Sequence, residues 1–118
     1  MSIRVNQQVI MDGKQIQSHE ELEAIYRERL KTYGTGYQTF LYSREVYYTE
    51  RFAYAAKILH ATILPQDTIL DVGCGTGNLV PFLPVCQYVG IDLVAEFIEE
   101  AQKRFPHLSF QCGDLMQE

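Results

Sequence analysis

The sequence predicts an α/β fold, an open parallel sheet flanked by helices, from three observations. An apolar run, Ile69 to Val72, has the length of a short buried strand and leads straight into Gly73, Gly75 and Gly77 at alternate positions. A second strand-like run, Tyr88-Val-Gly-Ile91, ends in Asp92, fifteen residues beyond Gly77, where the second strand of a βαβ unit should end. A third, Leu108-Ser-Phe-Gln-Cys112, runs into Gly113-Asp114. Three strand ends in succession, each carrying a carboxylate or a glycine, form one continuous rim. Ligands of open α/β sheets bind at such carboxyl ends.

Length and composition bound the reading. The chain has 118 residues, one domain at most. A hydrophobic share of 47% and a charged share of 21% describe an ordinary soluble protein. The net charge of −5 argues against a nucleic-acid surface, which needs clustered Lys and Arg. Cys74, Cys86 and Cys112 are odd in number and widely spaced, so neither a disulfide framework nor a metal site is expected, and a cytoplasmic location fits best. The start of the chain has no uninterrupted apolar core of a signal peptide, and no run approaches a membrane span.

The elements follow in order. Residues 3 to 16 alternate loosely, and Asp12-Gly13 is a favoured two-residue hairpin turn, so a small hairpin is expected, covering a sheet edge or a core face. Ser18 and Glu21 have capping-box spacing, and Leu22, Ile25, Tyr26 and Leu30 form the inner stripe of a helix that stops near Gly34 and Gly36. That helix reads as a packing element. Residues 34 to 43 read as a flexible connection, after which Ser43 caps a second helix running to about Ala61. The tyrosines of this region suit half-buried positions better than a substrate wall. Together these divide the chain into an N-terminal hairpin and helix, residues 1–42, and a sheet-bearing part, residues 43–118.

At the glycine turn, Gly73 allows a sharp reversal at positive φ, and Gly75 and Gly77 remove side chains that would block a ligand. The N–H groups opening the next helix then face whatever lies over the turn. A plain strand-to-helix turn is the bland alternative. Pro81 and Pro84 make that next helix short, and the link to Tyr88 is brief, so the second strand lies parallel beside the first. A longer helix, about 94 to 105, carries Phe97, Ile98, Ala101 and Phe105 on its inner stripe, with acids early and bases late.

Asp71-Val-Gly-Cys-Gly-Thr-Gly77, with Asp92 and Gly113-Asp114, resembles the cofactor half of class I S-adenosylmethionine (SAM)-dependent methyltransferases. The resemblance covers about residues 44 to 118 and implies a Rossmann-like three-layer fold, of which the first three parallel strands, order 3-2-1, are visible. It implies SAM as cofactor and S-adenosylhomocysteine as product. Asp92 would accept both ribose hydroxyls, its alternative being a helix cap before Val94. Asp114 would accept the adenine amine, its alternative being an exposed loop acid. Asp71 would bind the methionine ammonium or hold the glycine turn together. Gly73, Gly75 and Gly77 would give close backbone approach, and Cys74, Leu93, Gly113 and Leu115 complete the cofactor-binding set. Tyr37 or Arg51 could touch the cofactor on the same analogy.

Acceptor and catalytic groups in the family come mostly from beyond the fourth strand, so no catalytic residue is assigned and this chain by itself is not expected to transfer a methyl group. A small-molecule or protein acceptor is favoured. Association of two copies through the open edge of the first strand is expected, in preference to the hairpin folding over it. The alternatives are an NAD(P)-binding oxidoreductase domain and a non-catalytic module binding SAM or a partner. The nicotinamide pattern G-x-G-x-x-G, counted from Gly73, needs glycine where this chain has Asn78.

Overall fold

The computed structural model describes residues 3–5, 8–11, 14–16, 18–42 and 44–114. They form two sheets. Strands β1 (Ile3–Val5), β2 (Gln8–Met11) and β3 (Lys14–Ile16) make an antiparallel sheet in sequential order. This is one strand more than a single hairpin. The polar stretch Asn6-Gln7-Gln8 breaks the apolar alternation, and Val5 pairs with Gln8. Met11 pairs with Lys14 across the Asp12-Gly13 position, which itself lies outside the described residues.

Helix α1 (His19–Tyr33) begins as its sequence dictates: the Ser18 hydroxyl accepts the Glu21 amide at 3.1 Å. Gly34 ends it, its amide donating to the Leu30 carbonyl. The expectation of a flexible connection after it is corrected. Residues Tyr37–Phe40 form a 3₁₀ turn whose Thr39 is fully buried and donates its hydroxyl to the Arg29 and Gly34 carbonyls. Arg29 Nε in turn donates to the Gln38 carbonyl at 2.7 Å. Side chain-to-backbone bonds, invisible to hydrophobic periodicity, pin this segment onto α1.

Helix α2 (Glu45–Thr62) follows, with Arg44 at its N-cap; the expected cap, Ser43, lies outside the described residues. Tyr42, Tyr48, Phe52 and Phe82 make a chain of ring contacts with centroids 4.8 to 5.7 Å apart. His60 adds a 3.0 Å contact to the Phe82 carbonyl. These tie α2 to the segment after the glycine turn. No helix among the described residues is long and apolar enough to cross a membrane.

The second sheet holds β4 (Thr68–Val72), β5 (Gln87–Asp92) and β6 (Ser109–Cys112), all parallel, in the order β4-β5-β6. Asp71 pairs with Gly90, and Asp92 with Cys112, which fixes the stagger of the strand ends. Helix α3 (Ala95–Arg104) returns the chain from β5 to β6 and buries Phe97, Ile98 and Ala101. With Cys74, Tyr88 and Phe110 the last two make the core, lined by Ile69, Val80, Leu83, Phe105 and Leu108. The expected short helix after the glycines is a single 3₁₀ turn, Val80–Phe82, because Pro81 and Pro84 leave no room for more. β4 pairs only with β5 among the described strands, so the N-terminal sheet does not cover its other edge. On one face of β4, Leu70 and Val72 remain 52% and 60% exposed.

Candidate functional site: a cleft along the strand rim

The glycine turn takes its shape from β5. The Gly73 and Cys74 amides both donate to the Ile91 carbonyl, at 2.8 and 3.0 Å. The Gly75 amide donates to Asp92 Oδ2 at 2.8 Å, and Asp92 Oδ1 accepts the Val94 amide at 2.9 Å. These three turn amides are therefore satisfied by the neighbouring strand. Asp92 therefore holds the turn and the start of α3 together. The Gly113 amide donates to the Asp92 carbonyl at 3.0 Å, so the ends of β5 and β6 are joined as well.

Gly73, Gly75 and Gly77 all have positive φ. A Cβ on Gly75 would lie 2.7 Å from the Phe40 ring, which covers the turn from the 3₁₀ segment. A Cβ on Gly77 would lie 2.9 Å from Phe105 and 3.5 Å from Phe110. Gly77 is thus a packing position under the sheet end and does not line the cleft.

Asp71 sits at the end of β4, where the Tyr88 hydroxyl donates to its Oδ2 at 2.7 Å. Burial raises the Asp71 carboxyl above its ordinary pKa, the Tyr88 bond opposes that, and the nearby Asp92 adds to it. Asp92 is raised too, by burial first, against the bonds from Val94 and Gly75. Burial also lifts the Tyr88 phenol, and its bond to Asp71 lifts it further. Burial and the two carboxylates push the Cys74 thiol up to about 12, so it stays protonated and unreactive.

These groups border a cleft of about 720 Å³. Asp71, Gly73, Cys74 and Gly75 line it from the first strand and turn. Asp92, Leu93, Gly113 and Asp114 line it from the other two strand ends. Leu115 lies outside the described residues. Arg51 reaches the cleft from α2, and Tyr37 does not.

The opposite wall escaped the sequence reading. Leu22, Glu23 and Tyr26 of α1 line the cleft, joined by Phe40, Tyr42 and Phe52. α1 is held there by the Tyr26 ring edge-on to Phe97, centroids 5.5 Å apart, and by an Arg27–Glu96 ion pair at 2.6 Å. So α1 lines the cleft as well as packing, and of Tyr33, Tyr37, Tyr42, Tyr47 and Tyr48 only Tyr42 joins that wall. Asn78 also lines the cleft. Its polarity inside a glycine-rich turn was the available signal, since a side chain without helix-forming or apolar value there suggests a contact.

Residues 69–118 match the profile described as the methyltransferase domain. Over this segment the chain is similar to methyltransferase domains. A trans-aconitate 2-methyltransferase of Yersinia pseudotuberculosis is 39% identical over 64 residues, covering 51% of this chain and 25% of that protein. The chain thus spans about a quarter of the length of the curated relatives it matches. Among solved structures, a TehB-like SAM-dependent methyltransferase from Corynebacterium glutamicum is 25% identical with a TM-score of 0.50, covering 85% of this chain and 47% of that one. The magnesium protoporphyrin IX methyltransferase of Synechocystis, solved with S-adenosylhomocysteine bound, is 19% identical with a TM-score of 0.56, covering 80% of this chain and 47% of that one. These likenesses agree with the β4-β5-β6 order: the matched segment carries three adjacent parallel strands of a Rossmann-like sheet.

Proposed function

We propose that the cleft binds SAM and that the chain is the cofactor-binding portion of a SAM-dependent methyltransferase, with S-adenosylhomocysteine as product. One observation carries the reading: the carboxylates of Asp71, Asp92 and Asp114 stand at three successive strand ends around one cleft. The fit is chemical. Asp92 accepts two amides, and a carboxylate with about four lone-pair sites keeps capacity for a ribose diol. Asp114 would take the adenine amine and Asp71 the methionine ammonium. A Cβ built on Gly73 or Gly113 meets nothing within 4 Å, so the backbone there leaves room for a ligand to approach closely. Tyr26, Phe40 and Tyr42 give the wall an aromatic character that suits a purine and a sulfonium.

SAM supplies an already activated methyl group. The work left to this chain is alignment and exclusion of water. By analogy with relatives named for trans-aconitate, the acceptor is read as a small molecule, a protein being second. The net charge of −5 weighs against nucleic acid. The three free cysteines suit a cytoplasmic setting. Residues 1–42 are proposed as the N-terminal unit and 43–118 as the cofactor-binding part, and the exposed edge of β4 as the surface through which two copies associate. Calorimetric titration with SAM, S-adenosylhomocysteine and NAD⁺ tests the reading. Binding of the first two without the third is expected. A preference for NAD⁺, or no binding by the folded chain, overturns it.

A further inference from the structure

We propose that the Asn78 side-chain amide is a ligand-binding donor that recognises the carboxylate of the cofactor's amino-acid tail; this rests on the SAM reading above. Asn78 is only 6% exposed, yet it lines the cleft. Its orientation is set from below. Thr76, fully buried, donates its hydroxyl to Asn78 Oδ1 at 3.0 Å. Arg104, from the end of α3, donates to the same oxygen at 3.2 Å and to the Thr76 carbonyl at 2.9 Å. A guanidinium can only donate, so the atom facing it must be the amide oxygen. The amide nitrogen is then the end turned away from that network. It lies 3.4 Å from the Cβ position of Gly75 and has no hydrogen-bond partner among the described residues. No side-chain nitrogen or oxygen among the described residues is both fully enclosed and unpartnered, so this N–H₂ keeps some exposure on a residue that lines the cleft.

Two free N–H groups fixed at a cleft wall select an acceptor. The order of strand ends says which acceptor. With the purine toward Asp114 on β6 and the ribose at Asp92 on β5, the amino-acid tail lies over β4 and its turn, beside Asp71 and Asn78. Asp71 matches the ammonium of that tail by charge and repels its carboxylate. The carboxylate therefore needs a donor, and Asn78 supplies one held rigid by Thr76 and Arg104. Arg51 lines the same cleft and adds positive potential there.

Asn78→Asp tests this. The change is isosteric, keeps an acceptor for Thr76 and Arg104, and turns the donor into a charge that repels a carboxylate. The probes are SAM and its decarboxylated analogue, which lacks only the carboxylate. The variant should bind SAM roughly ten- to a hundredfold more weakly than the wild type. Decarboxylated SAM should bind both proteins within about threefold, a margin worth less than 1 kcal/mol. If Asn78→Asp melts below the assay temperature, Asn78→Ala reads the same contrast without an added charge. Equal SAM affinity in variant and wild type, or equal losses for both probes, overturns the role of Asn78 and leaves the SAM reading standing. A wild-type chain that binds neither probe overturns both.

Discussion

Asp92 bonds at once to the Gly75 amide and the Val94 amide, so the carboxylate proposed to hold the ribose is also a structural clasp. Its bond to the Val94 amide stands just ahead of α3, whose N-cap is Val94 itself. Asp92→Asn keeps the shape, loses the charge and turns an N–H₂ toward one of two donors. It should weaken SAM binding by about 1.5–3 kcal/mol, the range for charge-assisted hydrogen bonds, read by calorimetry. Asp71 allows a prediction with a sign. Its folded pKa is raised by burial, so the folded chain holds that proton to higher pH than the unfolded chain. The associated stability is complete below the ordinary carboxylate pKa of about 4 and is lost as pH rises through the folded value. At neutral pH the buried charge therefore destabilises the ligand-free protein. Asp71→Asn should raise its melting temperature at pH 7, the gain shrinking toward pH 4, while SAM binding weakens. A lower melting temperature at pH 7 would show that the charge clasps the turn. The acids were legible because strand ends are legible. The packing role of Gly77 was not, because its neighbours Phe105 and Phe110 lie about thirty residues away in sequence.

At the scale of elements, the three strands and α3 fell where periodicity put them, since each carries its own apolar pattern. The wall opposite them did not. α1 and the Tyr37–Phe40 turn are positioned by Thr39, Arg29 and the Arg27–Glu96 pair, long-range polar contacts that leave no mark on hydrophobic spacing. The meeting of Phe40 with Gly75 is the part of that wall easiest to test. Gly75→Val should harm the fold as well as ligand binding. Gly75→Ala already forces a left-handed residue, costing about 1–2 kcal/mol, and adds a clash with Phe40. In a double-mutant cycle, Phe40→Ala should recover part of that loss, with a coupling of about 1 kcal/mol in chemical denaturation. Additive losses would mean that Phe40 does not bear on the turn.

For the whole molecule, the open side of β4 is the surface proposed for association. Its edge, unpaired among the described strands, is the kind of surface that recruits another strand. Light scattering should show a mass that rises with concentration, and the backbone amides of residues 69–72 should exchange more slowly as it does. A monomer at every concentration, with those amides exchanging at a constant fast rate, contradicts association through this edge. Whether or not copies pair, the rim faces a cleft built within one chain. The central claim is that SAM lies along that rim. Titrating the isotope-labelled chain with SAM while following backbone amide resonances tests it most directly. Saturable shifts are expected at Gly73, Gly75, Leu93 and Gly113, with β1–β3 unmoved. Saturable shifts that leave those four amides untouched would contradict it.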